Sequence, residues 1–495
     1  MVNTKKKVNI TEETKIEVQE TDIPDDEVNW CSVSLSEVVK NSNRIEASTF
    51  SLEAKHAREI LKSSKYQLKP LYGIDGFFKY ANNSCRFKRD YKNKNTDSIG
   101  FLGSSEILNV YPKAEKYISL EQAKSKGLVA RLNEILITCS GTIGNISLVS
   151  KSMINNALSQ HMIRAYTEDL YGYIYAFLKT KIGKLLIQTN TYGSVVQHIE
   201  PKHLENIEIP NPPDILKKEI HNLIVKSYDL RDESNDLIDE AEKLLIQELQ
   251  LPPIEDFKPK YYDKQTDVRN FEVSLSKLNN RLDGSYHVPI VDCIINHLKT
   301  HSKCLKKIGD KDISAEIILP GRFARTYVEE GQGTLFFGGK QINELEPSVK
   351  KYLSLALHSK RIEKELKLKE NMLLVTRSGT IGRVNIVPHH WENWVINEHV
   401  IRINPISKNI AGYLYCWLNS EYGKILIERY TYGSVVNEID TNHVADICVP
   451  IVNNEKNLGK INDLILKANK KRYEAYVLEQ KAIRMVNEKV IYATK

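Results

Sequence analysis

The hydrophobic and polar positions of this chain follow one pattern that occurs twice. In each half, two short runs rich in β-branched residues predict a pair of strands, at 134–138 and 145–149 and again at 372–376 and 383–387. An apolar stripe at helical spacing follows over 171–187 and 413–427, and a short strand is predicted at 207–210 and 447–450. A helix over 52–61 is predicted from its good helix formers. The chain therefore reads as two copies of one plan.

A long heptad pattern closes each copy. Leucines recur every seven residues through 213–251, and the position three residues before them holds Ile220, Ser227, Ser234 and Ala241. The same register returns 241 residues later in 453–492. Small side chains let helix backbones approach closely, so we expect the two helices to pair with each other rather than pack only on their own domains. The predicted seam consists of Ile220, Leu223, Leu230, Leu237, Ala241, Leu244, Ile461, Leu464, Ala468, Ala475, Leu478, Ala482 and Met485.

Two motifs are repeated letter for letter. The hexapeptide Thr-Tyr-Gly-Ser-Val-Val occupies 191–196 and 431–436, which are 240 positions apart, and Ser-Gly-Thr-Ile-Gly occupies 140–144 and 378–382. His161 and His399 follow the second motif at equal distance, and their strand-like apolar neighbours favour satisfied core histidines over functional ones. A period of this length is too long for a solenoid repeat, and it indicates a duplicated domain.

The repeat divides the chain into six predicted segments. They are a disordered tail (1–28), a first domain (29–212), a first coiled-coil helix (213–251), a proline-containing linker (252–269), a second domain (270–452) and a second coiled-coil helix (453–492).

Composition narrows the class of protein only slightly. The formal charge of +7 over 495 residues is a weak indication of a polyanionic partner. Seven scattered cysteines without paired spacing favour free thiols in a reducing compartment. No run is long and apolar enough for a membrane span or a signal peptide, so we expect a cytoplasmic protein.

One cluster of cysteine and histidine is spaced like a metal site. Cys293, His297, His301 and Cys304 lie close together in the sequence. They fall in a predicted helix, where 293, 297 and 301 would rise along one face and could not surround a tetrahedral ion. We therefore expect half-buried helix residues and no bound metal.

Two kinds of segment are candidates for contact with an anion. The glycines of the Ser-Gly-Thr turns permit a tight loop whose backbone N–H groups could face a phosphate, although a purely structural turn is the alternative. The first copy also has a basic stretch interleaved with aromatic residues over 77–94, and the second has a shorter one over 322–327. A solvated loop is the alternative for both. The candidate residues are Lys79, Arg86, Lys88, Arg89, Lys92, Lys94, Ser140, Thr142, Tyr192, Ser194, Arg322, Arg325, Arg377, Ser378, Thr380, Tyr432 and Ser434.

The ordered set of these features resembles the specificity subunit of type I restriction–modification systems. It comprises two domains that each end in a long pairing helix, the repeated Ser-Gly-Thr-Ile-Gly and Tyr-Gly-Ser motifs, and the entry Ile209-Pro210-Asn211-Pro212-Pro213 before the first helix. The resemblance extends over nearly the whole chain from Trp30. It implies an α+β fold in which two pseudo-symmetric mixed α/β target-recognition domains are joined by two long antiparallel coiled-coil helices.

The resemblance also implies a function that is not catalytic. In that family each recognition domain reads one half of a split site in double-stranded DNA, and the paired helices set the spacing. The helices dock two methyltransferase subunits that modify adenine at N6 with S-adenosylmethionine, and a restriction subunit that uses ATP and Mg can join them. This chain would need no cofactor of its own. Residues 213–251 as one helix would extend more than about 50 Å, which is long enough to hold two modules about 34–36 Å apart on one face of DNA.

A self-contained DNA methyltransferase or a fused restriction–modification enzyme is the main alternative. Asn211-Pro212-Pro213-Asp214 is similar to the Asn-Pro-Pro-aromatic loop of amino-methyltransferases, but here an aspartate replaces the aromatic residue. The second copy lacks the motif, and no glycine-rich cofactor turn or acid–base constellation is found in the sequence. A scaffold that binds only proteins would explain the helices but not the two duplicated domains.

Overall fold

A computed structural model describes residues 32–40, 50–84, 86–193, 197–257 and 271–493 of the chain. The predicted tail (1–28), most of the linker and Ser194 lie outside these ranges. Within them, every helix is too short or too polar to cross a lipid bilayer.

The first domain contains two four-stranded sheets and one two-stranded sheet. Tyr80–Asn82, Met162–Tyr166, Ile135–Thr138 and Ile146–Leu148 form an antiparallel sheet in that order. Tyr91–Lys92, Lys116–Ser119, Ser98–Leu102 and Asn156–Leu158 form the second sheet, whose last pair is parallel. Leu68–Pro70 pairs with Glu208–Pro210. The α-helices are Leu35–Lys40, Leu52–Ser63, Leu120–Ser125, Tyr171–Lys179 and Lys181–Gln188.

The second domain repeats this topology strand for strand. Its antiparallel sheet has the order Ser314–Ile318, Val400–Pro405, Leu373–Thr376, Val384–Ile386. Its mixed sheet has the order Tyr327–Val328, Lys351–Ser354, Gly333–Phe337, Val395–Ile396, again with a parallel last pair. Cys304–Lys307 pairs with Cys448–Ile451. The α-helices are Pro289–His301, Leu355–Arg361, Lys408–Asn419, Glu421–Glu428 and Thr441–Ala445. The mixed α/β fold that the resemblance implies is therefore confirmed.

The apolar stripe in each domain forms two helices, where the sequence predicted one. The break falls at Thr180 and Ser420, whose hydroxyl groups accept a hydrogen bond from the backbone N–H of Gly183 and Gly423 at 3.0 and 3.1 Å. Each hydroxyl thus caps the N-terminus of the second helix. The glycines are needed at this corner because a Cβ there would lie 2.2 Å from the carbonyl oxygen of Phe177 or Trp417. The stripe continues in sequence, but the caps change its direction.

Two long helices join the domains and lie antiparallel to each other. The first helix is Asp214–Glu248 and the second is Glu455–Val486, followed by a π-helical turn at Asn487–Ile491. The end of the first helix contacts the start of the second, where Asn457 Nδ2 donates to Glu248 Oε1 at 2.6 Å. Near the middle, Ser227 Oγ donates to the carbonyl oxygen of Ala475 at 2.7 Å. Residues early in one helix therefore contact residues late in the other, as in an antiparallel pair.

The buried seam between the helices has one predicted row and one that was not predicted. The row of small residues lies where the heptads place it, at most 1% exposed: Ile220, Ser227, Ser234, Ala241, Ile461, Ala468, Ala475 and Ala482. The second row lies four residues after the first, not three, and comprises Ile224, Arg231, Ile238, Leu245, Ile465, Arg472, Glu479 and Val486.

The predicted leucine row lies beside the seam. Leu230 and Met485 are buried, but Leu223, Leu237, Leu244, Leu464 and Leu478 are only half-buried. Those five pack against hydrophobic clusters to which the domains contribute. The physical reason is that each long helix has two apolar neighbours, its partner helix and the domains, and the leucines cover the side that faces the domains.

The domains also contact each other directly across the helices. The backbone N–H of Val110 donates to the carbonyl oxygen of Asn343 at 2.8 Å. Val110 and Leu345 share one hydrophobic cluster with Leu230 and Ala475 of the two long helices. The spacing of the domains is thus fixed by the helix pair and by a contact between the domains themselves.

Each domain approaches a long helix at a glycine that has no room for a side chain. Gly172 N–H donates to His221 Nδ1 at 3.1 Å, and Gly412 N–H donates to Asn462 Oδ1 at 2.9 Å. We expect Gly412→Ala to lower the free energy of unfolding by about 1–3 kcal/mol through overpacking, because the new Cβ would lie 2.4 Å from the carbonyl oxygen of Asn462. Urea unfolding would measure the change.

Gly459→Ala is the matched control for this substitution. Gly459 lies within the second long helix, and a Cβ there meets no atom within 4 Å. Alanine is the better helix former, so this variant should be more stable by up to about 1 kcal/mol. Equal effects of the two substitutions would contradict the close approach at Gly412.

Candidate nucleic-acid interface

The site in each domain begins with a loop that carries the same six-residue pattern, Arg-Phe-x-Arg-x-Tyr. It occupies Arg86–Tyr91 in the first domain and Arg322–Tyr327 in the second, and we call it the arginine loop. The second arginine of each pattern lies over a phenylalanine of the mixed sheet, with the guanidinium carbon 5.2 Å from the ring centre in both cases. These contacts join Arg89 to Phe101 and Arg325 to Phe336. Cation–π packing therefore fixes equivalent arginines at equivalent places.

The Ser-Gly-Thr motif forms a tight exposed turn beside the arginine loop. Thr138 Oγ1 donates to the carbonyl oxygen of Thr142 at 2.6 Å, and Thr376 makes the same bond to Thr380. Gly141 and Gly379 have φ of 74° and 76°, a left-handed conformation that favours glycine. No atom lies within 4 Å of a Cβ built on either glycine, and Thr142 and Thr380 are exposed. The turn is structurally defined, and its outer face is open to a ligand.

A histidine holds the serine of this turn in both domains. His161 Nδ1 lies 2.7 Å from Ser140 Oγ, and His399 Nδ1 lies 2.7 Å from Ser378 Oγ. The prediction of core histidines is wrong, because both rings are half-buried and the side chain of His399 is 39% exposed. Partial burial and the nearby charges of Arg89, Arg86 and His198 lower the pKa of His161. The first site therefore crowds several cationic groups together.

In each domain the tyrosine of the Tyr-Gly-Ser motif pairs with a residue six positions later, and we call this pairing the hairpin. Tyr192 and His198 exchange backbone hydrogen bonds of 2.8 and 2.7 Å, and Tyr432 and Glu438 exchange bonds of 3.0 and 2.7 Å. The far strand of each hairpin also bridges to Ser140 or Ser378 of the turn. Ser194 lies outside the described residues, whereas Ser434 is exposed at the tip of its hairpin.

The structure brings some of the predicted site residues together and leaves others apart. Arg86, Arg89, Ser140, Thr142 and Tyr192 belong to the loop, turn and hairpin of the first domain, and Arg322, Arg325, Arg377, Ser378, Thr380, Tyr432 and Ser434 to those of the second. Lys88 is exposed within the arginine loop, and Lys92 and Lys94 lie exposed just after it. Lys79 stands at the start of an edge strand, 3.7 Å from Glu168. None of these contacts tests DNA binding, which stays a prediction for every residue.

Sequence reasoning missed the residues that hold the arginines. Arg89 Nη2 donates to Gln160 Oε1 at 3.1 Å, and Arg325 Nη2 donates to both carboxylate oxygens of Glu398 at 2.5 and 2.6 Å. Gln160 and Glu398 immediately precede the two histidines, so they occupy equivalent positions. The repeat of the arginine loop, 236 positions apart, is a signal that a comparison of the two halves could have found.

The prediction of half-buried helix residues is confirmed for three members of the cysteine and histidine cluster and is wrong for Cys304. Cys293, His297 and His301 lie on the helix Pro289–His301, but Cys304 lies in the following strand and is exposed. His297 Nε2 lies 3.0 Å from the carbonyl oxygen of Leu249 at the end of the first long helix. Among the residues that the structure describes, no group of three or more metal-ligating side chains is placed to hold an ion.

The fold and its paired sites define a class of protein. Two copies of one mixed α/β domain present a basic loop, a turn and a hairpin at equivalent places, and a rigid antiparallel helix pair joins them. This is the arrangement of a modular protein that presents two equivalent sites.

A comparison with protein-family models finds a match in the first half of the chain. Residues 71–243 match the family model of the type I restriction modification DNA specificity domain. The matched part of the chain, which spans the first domain from Leu71 and most of the first long helix, is similar to that family, and the resemblance is confirmed. No curated protein matches the chain.

Solved structures of low sequence identity are also similar to the chain. One is the S subunit of a type I restriction–modification system from M. genitalium, with 12% identity, coverage of 86% of this chain and 98% of that chain, and a TM-score of 0.29. Another is the HsdS subunit from Thermoanaerobacter tengcongensis, with 14% identity, coverage of 85% and 98%, and a TM-score of 0.26.

Proposed function

We propose that this chain is the DNA-recognition subunit of a type I restriction–modification complex. Each domain reads one half of a bipartite site in double-stranded DNA. The observation that carries the proposal is the recurrence of the arginine loop, the Ser-Gly-Thr turn and the Tyr-Gly-Ser hairpin in both domains, since the first copy lies in a matched DNA specificity domain. Arginine at such a site can neutralise phosphates or pair bidentately with guanine.

The helix pair acts as the ruler between the half-sites. The first long helix has 35 residues and the second has 32, so each extends about 50 Å at about 1.5 Å per residue. Polar pairs across the seam support a fixed register, for example Arg472 Nε donating to Ser234 Oγ at 3.1 Å and Lys460 Nζ lying 3.4 Å from Glu240. The domains therefore keep one separation, which matches half-sites at one spacing on the duplex.

Catalysis belongs to partners that dock on this scaffold. Two methyltransferase subunits bind the helices and transfer a methyl group from S-adenosylmethionine to adenine N6. A restriction subunit that uses ATP and Mg can join them. The methyltransferase-like segment at Asn211 supports no catalytic role, because the Asn211 side chain accepts a hydrogen bond from Lys217 Nζ at 2.7 Å and Asp214 lies 2.8 Å from the same ammonium group. Both groups stabilise the entry to the first long helix.

Methyl transfer tests this division of labour. The purified chain alone is expected to transfer no methyl group from S-adenosylmethionine to duplex DNA, and the chain combined with a type I methyltransferase subunit is expected to methylate adenine. Transfer of a labelled methyl group to a genomic DNA substrate is the measurement. The methyltransferase without this chain is the control. Activity of the chain alone would overturn the assignment to a non-catalytic subunit.

A further inference from the structure

The two arginine loops and the residues that follow them differ in charge. Over 86–94 the first domain has five basic residues and one acidic residue, whereas over the equivalent 322–330 the second domain has two of each. The difference lies where the arginine loop runs into the next hairpin. Lys94 of the first domain corresponds to Glu330 of the second.

The partners of the equivalent arginines in the two domains differ in the same way, with a neutral partner in the first and an acidic one in the second. Arg89 is held by the neutral side chain of Gln160, whereas the equivalent Arg325 is held by the carboxylate of Glu398. The second domain adds an ion pair between Arg377 and Glu438, at positions where the first domain has Cys139 and His198. The second site thus places a carboxylate on each of two arginines, and the first site does not.

The carboxylate of Glu398 is charged at neutral pH. The side chain of Glu398 is 6% exposed and that of Glu438 is 22% exposed. Burial alone would raise the pKa of Glu398, but backbone hydrogen bonding and Arg325 lower it below its usual value. In the first site, burial and then the nearby groups Arg89, Arg86 and His198 lower the pKa of the His161 imidazole.

Other charged groups face the two sites, but they do not remove the difference in the partners of the arginines. In the first domain, Glu200 accepts the hydroxyl of Tyr192, and Asp90 lies 3.2 Å from Lys92. In the second, Lys351 lies over the ring of Tyr327, and Lys181 of the first domain pairs with Glu330. Lys181 offsets one acidic residue of the second domain, but Glu398 and Glu438 remain paired with arginines of the site itself.

We propose that the first domain supplies most of the sequence-independent attraction to DNA and that Glu398 and Glu438 make the second domain the more selective reader. The proposal rests on the proposed function. Uncompensated lysine and arginine neutralise phosphates, and that part of the affinity is independent of sequence and falls steeply with salt. An arginine held by a carboxylate keeps N–H donors in a fixed orientation for a base edge but brings little net charge to the phosphates. The carboxylates therefore weaken binding to DNA of any sequence more than they weaken binding to the recognised bases.

Exchanging single residues between the equivalent positions tests the proposal. The full chain would be titrated against a mixed-sequence 40-base-pair duplex over a series of KCl concentrations. Glu398→Gln, which copies the first domain, is expected to tighten this binding several-fold and to steepen the salt dependence by about one phosphate contact, a slope change near 0.9. Glu438→Gln should act in the same direction. Lys94→Glu, which copies the second domain, should weaken binding several-fold and flatten the slope by about the same amount.

Two controls separate this effect from others. Lys467→Glu makes the same charge change as Lys94→Glu, but at an exposed position of the second long helix. It should leave the slope of the salt dependence unchanged. Selection of binding sites from a duplex pool should show relaxed base preference for Glu398→Gln in one half of the site only, a result that mere loss of structure would not give. Unchanged slopes and preferences for both glutamate variants, with specific binding by the original chain, would overturn this inference alone. Failure of the original chain to bind any duplex would overturn the proposed function as well.

Discussion

Glu479→Ala is expected to lower the free energy of unfolding by about 3–5 kcal/mol, the usual cost of leaving buried charges without their partner. Glu479 lies in the seam of the second long helix and is 4% exposed. Its carboxylate accepts the hydroxyl of Tyr175 at 2.9 Å, lies 3.3 Å from Lys179 Nζ and pairs with Arg231 of the first long helix. The substitution removes one negative charge and leaves two half-buried cations, Lys179 and Arg231, without that partner.

This carboxylate ties three parts of the molecule together. Tyr175 and Lys179 belong to the first domain, Arg231 belongs to one long helix, and Glu479 belongs to the other. Beside this cluster, Gln480 Nε2 donates to Glu346 of the second domain at 3.1 Å. Loss of Glu479 is therefore expected to loosen both the helix pair and the position of the first domain on it.

The pH dependence of this contribution follows from the pKa of Glu479. Burial alone would raise it, but Arg231, Lys179 and the hydrogen bond from Tyr175 lower it to about 2. A carboxyl group whose pKa is lower in the folded than in the unfolded chain stabilises the fold above its unfolded pKa. The stabilisation should therefore be complete near neutral pH and should be lost as the pH falls from about 4.5 towards about 2.

Urea unfolding at pH 7 and pH 3 would measure both effects. Glu219→Ala, at an exposed position of the first long helix, is the matched control and should change the midpoint little. The difference between the Glu479→Ala variant and the original chain should shrink at pH 3. A midpoint for Glu479→Ala equal to that of the control at pH 7 would show that the cluster does not stabilise the helix pair.

The sequence predicted most elements of the fold and the pairing of the two long helices, but not the phase of the seam between them. The strands on each side of the Ser-Gly-Thr turn were predictable because short β-branched runs and glycines act locally. The phase of the coiled-coil seam was not, because it depends on which side of each helix the domains cover. Leu237 and Leu223 fit the heptad pattern, yet they face the domains.

The turns of the candidate site were predictable from the sequence, but the side chains that bind its arginines were not. The repeated motifs identified Ser140 and Ser378, but the bonds of Arg89 and Arg325 to Gln160 and Glu398 join residues about 70 positions apart. Such long-range pairs leave no periodic signal in a single sequence. The comparison of one half with the other recovers part of them, because the duplicated scaffold places equivalent residues in equivalent surroundings.

Exchange of the first domain is expected to change one half of the recognised DNA site and to leave the other half intact. The expectation rests on the matching strand order of the domains and on the separate arginine loop, turn and hairpin that each one carries. Residues 29–212 would be replaced by the recognition domain of a related chain, and both long helices would be kept. The spacing between the half-sites should stay the same, since the helix pair is unchanged.

Sequencing of methylated adenines in cells that express the original or the exchanged chain, each with methyltransferase subunits, is the most direct measurement. The predicted result is a bipartite site in each case, with one half and the spacer length shared between them. Simultaneous change of both halves, or a single undivided site, would contradict reading by two independent domains.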